Sequence, residues 1–314
     1  MSSLKDLSLA IVTGGWSAER HENLTGARAV RKTLTENGID PAWIEVKREQ
    51  DFIPELSQRP LDFALLCMTE EVPIQGVLDS MRIPYSGSGV LATALCLDKQ
   101  KSKQFMLAAG VHTPAYYAFD VKDIDMIPDH GGWNVLEQHI GFGFPMVVKP
   151  NACGSSVGVS LVTDPAALPD ALQRAAEHGG RVLIEQYIQG TEVTCPALGD
   201  KIFPAVEVRT PSGIYDYSLK ERCAASYSIV PESEKLLRAA LEETVATLRR
   251  VFSLENIWRV DAIWDGTRLY VLEVNTLPYL GSPSGVMATS FRAFGLDHYQ
   301  FLTAVIGERI QRGT

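Results

Sequence analysis

At 314 residues the chain is too long for one typical core, so two or three domains are expected. Apolar residues at 46% and charged residues at 21% fit an ordinary globular protein, which excludes disordered and fibrous classes. The formal net charge of −9 argues against a nucleic-acid binder or a membrane-surface protein.

In chain order, Met1-Ser2-Ser3-Leu4-Lys5-Asp6 lacks the features of a signal peptide, and no apolar run reaches the roughly 20 residues that span a bilayer. A strand is predicted over residues 7–12, then Gly14-Gly15, then a helix over 17–37. This strand, glycine turn and helix open an α/β domain. Strands over 40–46 and 63–67 and helices over 75–81 and 89–110 extend the alternation, which implies a parallel sheet covered on both faces. His112-Thr113-Pro114 marks a break. A second unit follows, with a strand over 144–149, a glycine and serine loop over 151–158 and a strand over 181–188. The third unit begins near Glu192. Its helix over 232–252 carries Leu237, Ala240, Leu241, Val245, Leu248 and Phe252 at helical spacing, a core stripe with no assigned chemistry. The scattered cysteines (Cys67, Cys96, Cys153, Cys195, Cys223) lack a C-x-x-C pair and read as reduced thiols of a cytoplasmic protein.

Chemistry concentrates near the C-terminus. Asp265-Gly266 between two β-rich runs signals a hairpin, and side chains two apart on a strand share a face. Glu273 and Asn275 therefore project together, Asp261 meets them from the paired strand, and Arg259 lies beside Asp261. Two carboxylates and an amide are hard oxygen ligands of the kind Mg²⁺ accepts with phosphates and waters; the alternative is an ordinary solvated hairpin face. Lys149 ends an apolar strand just before Pro150, where it reads as a phosphate ligand or, alternatively, a surface lysine. Gly154-Ser155-Ser156-Val157-Gly158 can close over phosphates as a lid, although such loops are usually only loops. The strand around Glu185 and Gln186, running on to Ile188 and then Glu192, can offer a backbone hinge to adenine and an acceptor to ribose. There is no GxxxxGK[ST] P-loop and no complete dinucleotide fingerprint.

Taken together, these blocks resemble the ATP-grasp enzymes, and within them the D-alanine:D-alanine ligase family, from end to end. The matching stretches are Gly14-Gly15-Trp16-Ser17-Ala18-Glu19-Arg20; Gln75-Gly76-Val77-Leu78-Asp79; residues 84–89 through Asp98-Lys99; Val148-Lys149-Pro150; 154–158; Tyr215-Asp216-Tyr217 with Lys220; Arg259 with Asp261; and Glu273-Val274-Asn275-Thr276. The resemblance implies an α/β ATP-grasp fold of three domains: an N-terminal parallel α/β substrate domain (1–95), a central lid domain (96–188) and a C-terminal catalytic, metal-binding domain (189–314). ATP would lie between the last two, and a homodimer would form through the first.

The resemblance also implies roles. Lys99 and Lys149 would hold phosphates, with Gly154, Ser155 and Ser156 as the lid. Glu185 and the backbone of Gln186 and Ile188 would hold adenine, and Glu192 the ribose. Asp261, Glu273 and Asn275 would hold Mg²⁺, with Mn²⁺ as a possible substitute, and Arg259 would stabilise the oxyanion that forms when an amine attacks an acylphosphate. Glu19 would bind an amino-acid ammonium under Ser155, or be only an early-helix acid. Lys220 and Ser284 would touch transferred phosphate or a substrate carboxylate, or be plain surface residues.

Departures cluster at the amino-acid pocket. Where the family has a His-Gly and a Gly-Glu-Asp-Gly segment, the chain reads Cys67-Met68-Thr69-Glu70-Glu71-Val72-Pro73-Ile74, shorter and without the histidine. Glu221 stands in place of a tyrosine after Lys220. Leu277-Pro278-Tyr279 stands where the family has Pro-Gly, and Gly285 replaces a bulkier residue beside Ser284. The expectation is therefore an ATP- and Mg²⁺-dependent carboxylate:amine ligase acting on amino acids through an acylphosphate, without nucleic-acid or membrane partners. The alternatives are a biosynthetic ligase or cyclo-ligase for another amino-acid derivative, and a nucleotide-binding regulatory protein without turnover.

Overall fold

The computed structural model describes residues 4–17, 19–48, 52–70, 72–122, 140–154, 156–210, 225–281 and 284–312. Ser155, Lys220 and Glu221 lie outside the described residues, as do Tyr215, Asp216 and Tyr217.

The N-terminal sheet has the order β2-β1-β3, with β1 (Leu9–Gly14), β2 (Ala42–Val46) and β3 (Phe63–Cys67) all parallel. Every residue of β1 and β3 is buried, as strands covered on both faces require. Alternation sends Leu9 and Ile11 to one face, against Ala27, Val30 and Leu34 of α1 (Arg20–Glu36) and Phe301 and Leu302 of a C-terminal helix. It sends Ala10 and Val12 to the other, against Leu56 of α2 (Ile53–Ser57) and Ile74 and Leu78 of α3 (Val72–Ser80). The helix expected over 89–110 is instead two, α4 (Val90–Leu97) and α5 (Lys99–Ala108). Between them Asp98 is extended, and its carboxylate accepts from the Lys101 amide at 2.9 Å, an N-cap that starts a second helix.

The central sheet, β4-β7-β5-β6, is antiparallel throughout: β4 (Tyr116–Asp120), β5 (Met146–Pro150), β6 (Ser160–Val162) and β7 (Arg181–Gln186). Met146, Val148, Val182 and Ile184 pack under α6 (Leu168–Ala176). The opposite face carries Val147, Lys149 and Glu185.

The third sheet runs β11-β10-β8-β12-β13, with the short β9 (Lys201–Ile202) on β8. Its strands are β8 (Thr191–Leu198), β10 (Val206–Arg209), β11 (Ser226–Ile229), β12 (Ile257–Trp264) and β13 (Leu269–Asn275). Helix α7 (Lys235–Phe252) starts three residues later than expected and buries Leu237, Leu241, Val245, Leu248 and Phe252, with Ala240 only at the margin. Full burial of a large aliphatic side chain is worth ~1.5–3 kcal/mol, so this stripe fixes the helix on the sheet. Ala92 and Cys96 of α4 and Met106 of α5 share that core, so the two helices brace the third sheet while their junction reaches the central one. α8 (Val286–Ala293) packs on β8, β10 and β11 of the third sheet, and α9 (His298–Arg312) closes the chain against α1 and β3 of the N-terminal sheet. The short strands at 116–120, 201–202, 206–209 and 226–229 were not expected from sequence. Among the described residues no helix is long and apolar enough to cross a membrane. Cys67, Cys96, Cys153 and Cys195 are free thiols, and burial pushes those of Cys67 and Cys195 up to about 12.

Candidate active site

The polar faces of the central and third sheets and the start of α1 enclose one cleft of ≈ 1250 Å³. Every candidate residue within the described stretches lines it: Glu19, Lys99, Lys149, Gly154, Ser156, Glu185, Gln186, Ile188, Glu192, Arg259, Asp261, Glu273, Asn275, Tyr279 and Ser284.

The β12–β13 hairpin presents the acidic centre. Asp261 pairs with Glu273 and Arg259 with Asn275, so all four side chains share one face. A bulge between Asp261 and Ala262 of β12 and the facing strand leaves Leu272 as the extra residue. It lets Val271 stay in the core while Leu272, Glu273 and Asn275 all reach the cleft. Asp261 is held tightly. It accepts from Arg259 Nε (2.8 Å) and Nη2 (2.6 Å), from Asn275 Nδ2 (2.9 Å) and from Thr194 Oγ1 (2.5 Å). Burial alone would lower the Arg259 pKa, but Asp261, Glu273 and Glu70 outweigh it and raise it.

Facing this hairpin is a row of lysines. Lys99, first residue of α5, places Nζ 3.2 Å from Glu273 and donates to the Cys153 carbonyl at 2.7 Å. Burial would lower its pKa too, and Glu273 reverses the direction. Asn151 ties the glycine and serine loop to this helix start, accepting from the Lys99 amide at 3.1 Å and, through Oδ1, from the Gln100 amide at 2.9 Å. Lys149 sits 2.8 Å from Glu185, whose carboxylate is buried. Burial pushes Glu185 up, but Lys103 and Lys149 hold it below the usual carboxylate range. The Gln186 amide already donates to the Ala115 carbonyl at 2.8 Å, so only the rest of that residue can serve a ligand.

Two carboxylates and an amide on adjacent strands form a donor set suited to a hard divalent cation whose remaining ligands come from phosphate and water. Each carboxylate already faces a cation, Arg259 on Asp261 and Lys99 on Glu273. Among the described residues no group of three or more His, Cys, Asp or Glu side chains could hold a metal.

The other end of the cleft is built from α1, the segment after β3 and the segment after β13. Glu19 is the N-cap of α1 yet makes no side-chain cap bond, and it is buried. A Cβ on Gly154 would stand 2.8 Å from Glu19 Oε1, so glycine lets the loop close on this carboxylate. Tyr279 packs its ring on Gly26 of α1, where an added Cβ would come within 2.3 Å of Cε2. Burial raises the Tyr279 hydroxyl to about 12. Glu70 accepts from the amides of Thr276 (3.0 Å) and Leu277 (3.1 Å), fixing the chain just past Asn275. Its own pKa is raised by burial despite the Leu277 bond. Glu70, Thr194 and Leu272 were not singled out from sequence. Thr194 lies two residues after Glu192 on the same strand face, a signal that was available; Glu70 and the bulge left none.

A family model described as "D-ala D-ala ligase C-terminus" matches residues 105–307. The chain is 34% identical over 311 residues to a D-alanine–D-alanine ligase of Geobacter sulfurreducens, covering 96% of this chain and 94% of that one. It is 31% identical over 307 residues to one of Clostridium botulinum (strain 657 / Type Ba4), covering 96% and 97%. Its fold superposes on the crystal structure of a Bacillus anthracis D-alanine–D-alanine ligase complexed with ATP, with a TM-score of 0.81, 26% identity and 98% of both chains covered. The match carries the ATP-grasp fold, with its N-terminal parallel sheet. By these relationships and by the cleft they explain, the chain belongs to the D-alanine–D-alanine ligase family of ATP-dependent carbon–nitrogen ligases.

Proposed function

We propose that this protein joins two amino acids through an acylphosphate, with D-alanine as the default substrate of the family and an amino-acid pocket altered from it. The observation that carries the reading is the opposition of Lys99 to Glu273, 3.2 Å apart, across a face that also bears Asp261, Asn275 and Arg259. Cations for phosphate thus meet oxygens for a metal at one point.

In this reading residues 96–188 and 189–314 hold ATP between them and residues 1–95 complete the amino-acid end. Lys99 and Lys149 bind the phosphates, with Gly154, Ser155 and Ser156 closing over them. Glu185 accepts from the adenine amino group, Ile188 and Gln186 flank the base, and Glu192 takes the ribose. Asp261, Glu273 and Asn275 would hold Mg²⁺, which would supply neutralisation of the phosphate charge. A carboxylate oxygen of the first amino acid attacks the γ-phosphorus; the bond to the β–γ bridging oxygen breaks and its electron pair leaves with ADP. Glu19 holds the ammonium of that amino acid. The neutral amine of the second attacks the acyl carbon, Arg259 faces the oxyanion, the acyl carbon–oxygen bond breaks, and inorganic phosphate departs with the proton that the nitrogen loses. Ser284, Lys220, Glu221 and Tyr279 border the second amino acid. A homodimer formed through residues 1–95 belongs to the same proposal, and sedimentation as a monomer would remove that part.

The test is ADP and phosphate release with ATP and Mg²⁺ against D- and L-amino acids, singly and in pairs, with mass spectrometry of the products. D-Alanine alone yielding the dipeptide supports the default substrate. Release only with another amino acid, or a product lighter by one water from a single substrate, moves the assignment to a different ligation or a ring closure. ATP binding without release under any mixture would overturn the reading in favour of a regulatory nucleotide binder.

A further inference from the structure

Behind the nucleotide end of the cleft lies a charge that the reaction above does not use. Lys103 is fully buried on α5, one helical turn after Lys99 and on the same helix face. Its Nζ lies 3.0 Å from Glu185 Oε1, donates to Thr113 Oγ1 at 2.6 Å and stands 5.7 Å from the Tyr116 ring. Glu185 lines the cleft; Lys103 does not. Burying an ammonium and a carboxylate is costly, and a buried ion pair is often no more stabilising than apolar residues of like volume. Stability alone is therefore a weak reason for this arrangement.

The geometry also shows two ammoniums on one oxygen, since Lys149 approaches the same Oε1 at 2.8 Å. The two lysines differ in freedom. Lys149 lines the cleft and can turn to a phosphate, whereas Lys103 is enclosed between α5, β4 and the Thr113 segment. We propose that Lys103 is a positioning residue, the fixed counter-ion that holds Glu185 as an anionic acceptor for a 6-aminopurine while Lys149 engages the phosphates. The proposal rests on the nucleotide-site reading above. Its consequence is base selectivity. An ionised carboxylate only accepts hydrogen bonds, so it favours the amino group of adenine over the oxo group of hypoxanthine; a protonated carboxyl can donate and loses that preference. Burial depresses Lys103 to about 8, so it still carries its charge at neutral pH.

The experiment compares equilibrium binding of ATP and inosine triphosphate to the full-length protein by calorimetry at pH 7. The wild type is expected to favour ATP by at least about tenfold, and Lys103→Met to narrow that ratio to within about threefold. Thr113→Val, which keeps the lysine and the volume but removes the hydroxyl, is expected to narrow it by a smaller factor, and it carries the test should Lys103→Met fail to fold. An unchanged ratio in folded Lys103→Met, or in Thr113→Val if that protein alone folds, overturns the assignment. Glu185→Gln separates the two levels. If it collapses the ratio while the Lys103 and Thr113 variants do not, only the role of Lys103 falls. If it too leaves the ratio unchanged, the adenine-site reading falls with it.

Discussion

The two ends of the cleft are held by different physics. At the end proposed for the nucleotide nearly every charged side chain faces its opposite: Arg259 on Asp261, Lys99 on Glu273, Lys149 and Lys103 on Glu185. At the end proposed for the amino acids the contacts are steric and backbone-mediated: Tyr279 on Gly26, Glu19 against Gly154, Glu70 on two amides. Paired charges in fixed register tolerate few substitutions, because removing one leaves its partner uncompensated. A wall made of shape can be refitted by exchanging one side chain. In the proposed reading, the reaction class is therefore written into one end, and substrate choice into the other.

The sharpest way to break this comparison is Glu273→Gln. It removes one hard anionic ligand and the partner of Lys99, so Mg²⁺-dependent turnover should fall on the order of 10²-fold or more. Unchanged Mg²⁺-dependent ADP release would place the metal elsewhere. The next test acts at the opposite end. Tyr279→Gly should leave the KM for ATP within about twofold while shifting the kcat/KM preference towards bulkier amino acids by about tenfold. A rise in the KM for ATP with no change in preference would show that the two ends are not separable.

A third test weighs the steric wall itself. Gly26→Ala should cost ~1–3 kcal/mol, because the new Cβ meets the Tyr279 ring. In a Tyr279→Ala background the same change should cost nothing or stabilise by up to ~1 kcal/mol, since alanine is the better helix former. Denaturant unfolding of the four proteins gives the coupling directly, and additive effects would mean that the contact is not the constraint.

The same contrast explains what could be read from sequence. The shared face of the hairpin was legible because a period of two places Asp261, Glu273 and Asn275 together whatever packs around them. The parallel N-terminal sheet was legible from uniformly apolar strands such as Phe63–Cys67. The bulge was not: strict alternation back from Glu273 puts Val271 in the cleft, and only the pairing with β12 shows the phase reset at Leu272. Lys103 was not singled out from its polar run, although its spacing from Lys99 was a clue. The break at Asp98 was concealed by continuous helical propensity on both sides, with Asp three residues before Lys101 as the only sign. Glu70 bonds backbone amides 206 and 207 residues away, a contact that no local pattern encodes.

Glu70 also marks the joint between the two ends, which makes it the finest probe of the comparison. Burial raises its pKa above that of the unfolded chain, against the pull of the Leu277 amide. A carboxyl with a raised folded-state pKa binds its proton more tightly when folded, so it favours folding at acid pH, and that contribution is lost as pH rises through the folded pKa. At neutral pH the ionised group is a burden that the two amide bonds offset. Glu70→Gln keeps an oxygen for the Thr276 and Leu277 amides and drops the charge. It should raise Tm at pH 7.5 by roughly 1–2 °C, and the gain should vanish as pH falls towards the unfolded carboxyl range near ~4.3. Because the loop stays pinned, the KM for ATP should not move. A lowered Tm at neutral pH would mean that the charge of Glu70, rather than its acceptor geometry, holds the end of β13, and that the boundary between the two ends is electrostatic after all.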